Sequence, residues 1–397
     1  DRGQLGSEKL VKFIKKGNKL LLVEPNLYYR AETENKSEKK SVEQAFAKSV
    51  IFGFEIIESK DQYHLVDFTP FLMFDRHGVA KRLRDSKQGA YKIDKSKSAV
   101  ELNNTRAFPE NVEFEALLTF SGEAKGNLIR SVSPDPNNVT VIQHHSFIKL
   151  PYSKYKPRKF DPRSGAISIS YMDYSTPIDE PITKKYIIRH RLEKKNPELE
   201  ISEAVEPIIY YLDPGTPEPV KSALLDGGKW WNQAYESIGF KDAFQVKMLP
   251  EDADPLDCRY NVIQWVHRST RGWSYGASVV DPRTGEIIKG HVSLGSLRIR
   301  QDYMIAQALT KDPFSTDYQK NKMLELAIAR IRQLSAHEIG HTIGFAHNFA
   351  ASSNNRASVM DYPHPLVNVV NGEIVFDDAY DTGIGAVSYT HLTLPTI

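Results

Sequence analysis

The first half of the chain consists mainly of apolar runs that are rich in β-forming residues. "NKLLLVEPNLYYRAE", "DQYHLVDFTPFLMF" and "FEALLTF" are separated by turn residues, a pattern that predicts strands. "SVEQAFAKSV" and "GVAKRLRD" have the pattern of short helices. Near residue 152 the composition changes, and "YSKYKPRKFDPRSG" is typical of an extended connector rather than a packed element. We therefore expect a β-rich N-terminal domain, with its connector, over residues 1–195.

The pattern of the second half mixes helical and strand periods. "PVKSALLDGGKWWNQAYESIGF" and "NKMLELAIARIRQLSAHEIGHTIG" space apolar residues at helical intervals, although a glycine pair interrupts the first. "YNVIQWVHR" predicts a strand, and "SYGASVVDPRTGEIIKGHVSLG" predicts a hairpin. The expected fold class is α+β, with a second domain over residues 196–386.

Both ends of the chain are unusual. It begins at Asp1 without an initiator methionine, as an internal fragment or a processed product would. Residues 387–397, "VSYTHLTLPTI", are rich in threonine, lack a helical period and resemble translated sequencing-adapter DNA. We expect this tail, which includes His391, to be non-native.

Composition limits the partners and the metal ligands that the chain can use. A net charge of +2 gives no basis for nucleic-acid binding, and no apolar run approaches the roughly 20 residues of a transmembrane helix. A single cysteine excludes an internal disulfide framework and a cysteine-rich zinc module. A bound metal ion would therefore be held by histidine and carboxylate.

Three histidines and a glutamate stand within "HEIGHTIGFAH" (337–347). His337 and His341 are four residues apart, so on a helix both lie on one face and can bind one metal ion. Glu338 can reach a water on that ion without being a ligand. Gly344 permits a left-handed turn that can bring His347 round as a third ligand. Three histidines leave a fourth zinc position open for water, so the spacing predicts one catalytic Zn²⁺.

The alternative interpretation is a buried helix whose histidines are hydrogen-bonded core residues. The extended spacing H-E-x-x-H-x-x-G-x-x-H, which metzincins use, favours the metal site. His144 and His145 are adjacent in the predicted strand "VIQHHSFIKL", so they face opposite sides and cannot chelate one ion together.

Residues 337–347 resemble the zinc-binding helix of metzincin metallopeptidases. "ASVMDYPHP" (357–365) is similar to their Met-turn, which would place Met360 beneath the zinc as an apolar floor. Nearly all of residues 1–386 resembles bacterial zinc-dependent metalloproteases with a β-rich domain ahead of a metzincin-like catalytic domain. The segments that carry this likeness are "RGQLGSEKLVKF", "QHHSFIKLP", "WWNQAYESIGF" and "NVIQWVHRSTRGWSYGASVVDPRTGEIIKGHVSLGS".

The resemblance implies a twisted mixed sheet with a backing helix and an active-site helix, and a truncated C-terminal subdomain. It also implies export to the periplasm, the cell surface or the medium. The residue after the third histidine is Asn348, whereas better-known metzincin subfamilies have Glu, Asp, Ser or Pro there, so their specificity does not transfer. Natural substrate, oligomeric state and the role of the N-terminal domain stay open.

Zinc and a general base predict hydrolysis of an amide bond, and the resemblance implies that the protein is a zinc-dependent metalloendopeptidase acting on proteins or peptides rather than on other amides. Glu338 is expected to act as general base, taking a proton from the attacking water and passing it to the leaving amine. Tyr362 stands two residues after Met360, where astacin-like and serralysin-like metzincins carry a tyrosine. We expect its hydroxyl to stabilise the oxyanion; the alternative is a packed aromatic under the Met-turn.

The resemblance further implies an exposed edge strand above the zinc, to which extended substrate adds as a strand. That strand would contain Tyr275, Gly276, Ala277, Ser278 and Val279. The small side chains at 276 and 277 would let a peptide backbone approach closely. The alternative is an ordinary interior strand.

Two other functions compete with a peptidase. "GWSYG" (272–276) satisfies G-x-S-x-G, but a serine hydrolase needs a helix directly after Ser274, and the residues that follow are β-rich. A catalytically inactive zinc-binding homologue would be a binding module, and loss of the base would mark it, yet Glu338 is present. The acidic stretch at 376–383 lacks calcium-loop spacing and is left unassigned.

Overall fold

The computed structural model describes residues 5–152, 154–269, 273–362, 364–386 and 388–389. They form two compact units. The N-terminal unit comprises Gly6–Pro151 and Met172–Ile182, and the C-terminal unit comprises Leu5, Tyr152–Tyr171 and the described chain from Thr183 onward. None of the described helices has both the length and the apolar character needed to cross a membrane.

The strands are, in chain order, β1 (Lys12–Lys16), β2 (Lys19–Glu24), β3 (Tyr29–Arg30), β4 (Ser49–Lys60), β5 (Tyr63–Val66), β6 (Gly89–Ile93), β7 (Ala99–Val100), β8 (Arg106–Ala107), β9 (Asn111–Ala124), β10 (Asn138–Ile148), β11 (Ser168–Asp173), β12 (Thr183–Ile187), β13 (Ser202–Glu203), β14 (Ile208–Leu212), β15 (Phe240–Lys241), β16 (Phe244–Met248), β17 (Asn261–Val266), β18 (Tyr275–Val280), β19 (Ile287–Gly295), β20 (Asn368–Val370) and β21 (Glu373–Val375). The α-helices are α1 (Lys36–Ala45), α2 (Thr69–Leu72), α3 (Val79–Asp85), α4 (Asn127–Val132), α5 (Val220–Ser237), α6 (Leu297–Leu309) and α7 (Asp317–Thr342).

The N-terminal unit is built mainly on antiparallel sheets, as most of the β-forming runs predicted, although residues Thr69–Leu72 of "DQYHLVDFTPFLMF" form the helix α2 instead of a strand. One sheet has the order β1-β2-β4-β5, and another has β9 at its centre, with β10 and β6 on either side. Phe54, Leu118 and Phe120 are buried in a core that draws on both sheets. The alternation of inward and outward side chains along β9 gives this core its apolar face.

The C-terminal unit contains a mixed five-stranded sheet of order β16-β14-β17-β19-β18. Its strands pair in parallel except β18, which is antiparallel to β19. Tyr210, Ile263 and Val292 on this sheet pack with side chains of α5 and α7 in one buried core. The predicted mixed sheet with two helices is therefore confirmed, as is the α+β class.

The glycine pair of α5 does not interrupt the helix. A Cβ on Gly227 would lie 2.0 Å from the backbone oxygen of Arg332 on α7, and one on Gly228 would lie 2.9 Å from the Ile339 side chain. These glycines let the two helix backbones approach closely, and the indole of Trp231 donates a hydrogen bond to the Ala336 carbonyl (2.8 Å). The absence of side chains at these glycines therefore allows α7 to pack closely against α5.

The predicted connector, residues 152–165, has no helix or strand among its described residues, as expected, but it is partly packed. Tyr155 and Ser164 are buried, and β11 begins at Ser168. Residues 152–171 and 183–195 belong to the C-terminal unit rather than to the N-terminal one. The segment packs because its backbone forms bridges with distant parts of the chain, which local composition does not report. Of the tail predicted to be non-native, only Ser388 and Tyr389 are described, and His391 lies outside the described residues.

Candidate metal centre

The long helix α7 carries two of the three histidines. It begins after Thr316, whose hydroxyl accepts a hydrogen bond from the Gln319 amide (3.2 Å). His337 and His341 are one turn apart on the same face near its C-terminal end. His337 is buried, and the ring centroids of the two imidazoles are 4.8 Å apart.

A turn at Gly344 brings in the third histidine. Gly344 has φ +106°, and its amide donates to the His341 carbonyl (3.1 Å) as the helix ends. A Cβ at this position would lie 2.3 Å from the backbone oxygen of Ile188, so only glycine fits. After this reversal the Nε2 atoms of His341 and His347 are 3.0 Å apart.

Backbone carbonyls orient two of the rings. His337 Nδ1 lies 2.8 Å from the Val359 oxygen, and His341 Nδ1 lies 2.8 Å from the Phe345 oxygen. Because a carbonyl can only accept, each Nδ1 carries the proton, and the lone pair of the neutral ring is on Nε2. This is the outer-shell arrangement that orients metal-ligating histidines in proteins.

The three nitrogens fit a zinc ion. One ligand nitrogen from each of His337, His341 and His347 lies within 4.8 Å of the others. Two nitrogens bound tetrahedrally at the usual Zn–N distance of about 2.0–2.1 Å are about 3.3 Å apart, close to the separation of His341 and His347. Burial lowers the pKa of all three rings, that of His337 to about 3, so the imidazoles stay neutral and available as ligands.

Met360 lies under the helix between the first two histidines. A Cβ on Gly340 would be 2.2 Å from the Met360 sulfur, and Met360 is buried. The Met360 carbonyl accepts a hydrogen bond from the Asn348 amide (2.9 Å), which ties this turn to the residue after His347. The same turn provides the Val359 carbonyl, so it both supports and orients the histidine cluster.

Glu338 is buried beside the cluster. Burial raises the pKa of its carboxyl group to about 7, while the positive charge of Arg330 and a hydrogen bond from the Gly276 amide act in the opposite direction. A carboxyl group with a pKa near neutrality can both accept and return a proton at physiological pH. Its position and its pKa suit the role of general base.

Tyr362 packs against the histidines. Its ring centroid is 4.5 Å from that of His347 and 5.3 Å from that of His337, and the side chain is 59% exposed. Tyr362 is therefore at the rim of the cluster rather than buried under the Met-turn.

The strand β18 is the last strand of the mixed sheet, and β19 is its one strand partner among the described residues. A Cβ on Gly276 would lie 2.0 Å from the Glu338 carbonyl oxygen, so the glycine is there to let α7 approach. Ser278 also faces α7, where its hydroxyl donates to the Thr342 carbonyl (2.7 Å). Tyr275, Ala277 and Val279 alternate with these residues, opposite Ser293, His291 and Lys289 of β19.

The connector braces the turn that carries His347. The Ile167 amide donates to the Gly344 carbonyl (2.8 Å), and the Ala346 amide donates to the Gly165 carbonyl (2.9 Å). Both contacts lie within the C-terminal unit and fix the backbone on either side of Phe345, whose carbonyl orients His341. The connector therefore contributes to the geometry of the candidate site.

The rival serine site lacks its required geometry in the described residues. Ser274 stands directly before β18, so a strand follows it instead of the helix that a nucleophile elbow requires. Residues 270–272, which include Gly272 of the motif, lie outside the described residues.

Sequence reasoning missed several contributors. The Val359 and Phe345 carbonyls and the connector backbone act through main-chain atoms, for which side-chain identity gives no signal. Arg330 was missed although its spacing of seven residues before His337 places it on the same helix face, and helical periodicity could have identified it.

Comparison with known families adds two matches. Residues 319–388 match a family model described as Met-zincin, which spans the three histidines and Met360. Residues 3–195 match a model described as a domain of unknown function (DUF5117). No curated protein matches the chain. The predicted likeness to metzincins is confirmed over residues 319–388, and the match together with the histidine cluster supports a zinc metallopeptidase in general.

Proposed function

We propose that the protein is a zinc-dependent endopeptidase that hydrolyses peptide bonds in proteins or peptides. The observation that carries the proposal is the convergence of three imidazoles whose low pKa values keep them neutral, each with one ring nitrogen within 4.8 Å of the others, beside the buried Glu338. Zinc at that point would supply a Lewis acid that polarises a substrate carbonyl and acidifies a water.

Glu338 then acts as the proton carrier. Its carboxylate takes a proton from the attacking water and returns it to the leaving amine nitrogen, so that the group ends the cycle as it began. The hydrogen bond from the Gly276 amide and the charge of Arg330 favour the ionised form, whereas burial favours the protonated form. This balance suits a group that must exist in both forms during one turnover.

Tyr362 is the proposed donor to the oxyanion. Its ring lies against His337 and His347 and its side chain is largely exposed, so the hydroxyl can approach a carbonyl oxygen bound above the histidines. A donor aimed at charge that develops during attack stabilises the transition state more than the ground state.

We propose that substrate binds as an added strand along the free edge of β18. The Gly276 amide donates a hydrogen bond to the Glu338 carboxylate, so this N–H points away from β19. Because backbone groups alternate along a strand, the N–H and C=O of Ser278, two residues further on, also point away from β19. N-methylation of one substrate amide at a time tests this. KM should rise at alternate residues only; equal effects at all positions, or at none, would exclude strand addition.

The resemblance to metzincins supports a location outside the cytoplasm, in the periplasm, on the cell surface or in the medium. Protein or peptide substrates are the expected partners, and the net charge of +2 gives no basis for nucleic acid. Fractionation of cells producing the full-length gene product tests the location, and recovery in the cytosolic fraction would contradict it.

Two alternatives are separated by one experiment. The protein is incubated with a denatured proteome, alone, with a chelator and with a serine-reactive phosphonate, and the new peptide termini are sequenced. A metallopeptidase yields termini that disappear with chelator only. A serine hydrolase shows the reverse sensitivity, and an inactive zinc-binding homologue yields no new termini.

A further inference from the structure

Arg330 lies on the same face of α7 as the zinc-binding histidines. It stands seven residues before His337, and two helical turns return a side chain to nearly the same direction. The axial separation of these residues is about 10.5 Å at 1.5 Å per residue. The guanidinium carbon lies over the ring of Tyr380, 5.7 Å from its centroid.

The guanidinium group has an unmatched hydrogen-bond donor. Its Nη1 is buried and has no hydrogen-bond partner among the described residues, which also provide no carboxylate in an ion pair with Arg330. The nearby Asp302 binds Arg298 through both oxygens, at 3.0 and 2.9 Å. A buried, unpaired cationic donor is costly, because it loses water without gaining a partner.

Arg330 projects from the side of α7 that carries His337 and His341, so its positive charge lies on the same side of the helix as the candidate active site. The residue Arg330 as a whole is half-buried, whereas its Nη1 atom is fully enclosed. Two guanidinium groups, those of Arg298 and Arg330, lie near the carboxylate of Asp302, and Glu338 is a further acidic group whose charge acts on Arg330.

We propose that Arg330 is a specificity-determining residue that binds a carboxylate of the substrate close to the scissile bond. The inference rests on the proposed peptidase function. An extended peptide rises about 3.3 Å per residue, so the 10.5 Å along α7 corresponds to about three residues. The carboxylate comes either from an Asp or Glu side chain within that distance or from the chain terminus.

Matched peptides separate the two sources. One series places Glu or Gln at each of three positions on either side of the cleaved bond, and a second has a free or an amidated C-terminus. In wild-type protein, Glu at one position, or the free terminus, should raise kcat/KM about ten- to a hundredfold over its neutral counterpart, as expected for a hydrogen bond to a charged group.

The variants Arg330→Gln and Arg330→Lys test the residue, with Arg332→Gln as control. Arg332 is also on α7 but is paired at the surface with Asp226 (2.9 Å). Arg330→Gln should abolish the acid preference, Arg330→Lys should retain part of it, and Arg332→Gln should leave it unchanged. Unchanged zinc content and melting temperature establish that the variants are folded. A preference that survives in Arg330→Gln, or that is absent from active wild-type protein, would overturn the inference.

A binding measurement keeps this test independent of turnover. Calorimetry with zinc-loaded Glu338→Gln, with and without Arg330→Gln, compares acidic and amide peptides. Tighter binding of the acidic peptide only when Arg330 is present would support the inference, even if the wild-type protein cleaves no peptide. The absence of cleavage would count against the peptidase function alone. Equal binding of both peptides would refute the role of Arg330.

Discussion

Histidines occur in two contrasting environments in this protein. On β10, His144 lies between carboxylates, with Nε2 2.5 Å from Glu113 and Nδ1 3.1 Å from Glu115. Burial lowers the pKa of His144, but these two partners together raise it above its ordinary value. On α7, the partners of the Nδ1 atoms are neutral carbonyls, and burial leaves the pKa values low.

The difference shows what makes a histidine available to a metal. Because carboxylate acceptors face both of its nitrogens, the doubly protonated form of His144 is favoured, and that form has no lone pair for a metal ion. With one carbonyl acceptor on Nδ1, His337 and His341 are neutral and direct Nε2 to a common point. The partner of the second nitrogen, more than the histidine itself, determines the chemistry.

The largest effect is expected from removing one histidine of each kind. His341→Ala should reduce the zinc content from about one ion per chain to near zero, because two nitrogens do not hold a tetrahedral site. His144→Ala should leave the zinc content unchanged. Elemental analysis after dialysis measures both. Equal zinc loss in the two variants would contradict the distinction.

Removing the hydroxyl of Tyr362, at the rim of the histidine cluster, should have the next largest effect, a fall in kcat. Tyr362→Phe keeps the ring against His347 and deletes only the hydroxyl, so kcat should fall about 10²–10³-fold with zinc content and melting temperature unchanged. Steady-state kinetics on a chromogenic or fluorogenic peptide provides the measurement. Full kcat in this variant would assign Tyr362 a packing role.

The connector should affect zinc affinity more modestly. Ile167→Pro removes the amide that donates to Gly344, and the loss of about one hydrogen bond should raise the zinc Kd about five- to tenfold. Ile178→Pro, at a fully exposed position, is the control. A chelator competition titration measures the Kd; identical values for the two variants would show that the brace does not act on the metal site.

The smallest effect concerns the charged histidine. Because the folded-state pKa of His144 is raised above about 6.5, its contribution to stability is complete below that pH and is lost as the pH rises through the folded-state value. His144→Gln should therefore lower the free energy of unfolding more at pH 6 than at pH 8.5. Urea unfolding at the two pH values checks this, and an unchanged difference would mean that His144 is not held as a cation.

Local spacing predicted the histidine cluster because a helix and one glycine turn suffice to assemble it. The four-residue interval placed His337 and His341 on one face, and Gly344 adopted the backbone that its position required. The mixed sheet followed from strand-forming runs and from the resemblance to metzincins.

What sequence could not predict depends on distant backbone atoms. The connector pairs with the turn at 344–346 across nearly 180 residues, and no local pattern encodes that register. Every residue has a backbone carbonyl, so only the fold shows that those of Val359 and Phe345 meet a histidine. Gly276 was predicted to leave room for a substrate backbone, whereas the backbone that fills its space is that of Glu338.

The most direct test of the central proposal compares wild-type protein with Glu338→Gln, both loaded with zinc, on denatured casein. Wild-type protein should cleave it, and a chelator should stop the cleavage. Glu338→Gln should bind the same amount of zinc while kcat/KM falls about 10²–10⁴-fold, since the amide cannot accept the proton of the attacking water. Cleavage by Glu338→Gln at the wild-type rate, with zinc bound, would contradict the account.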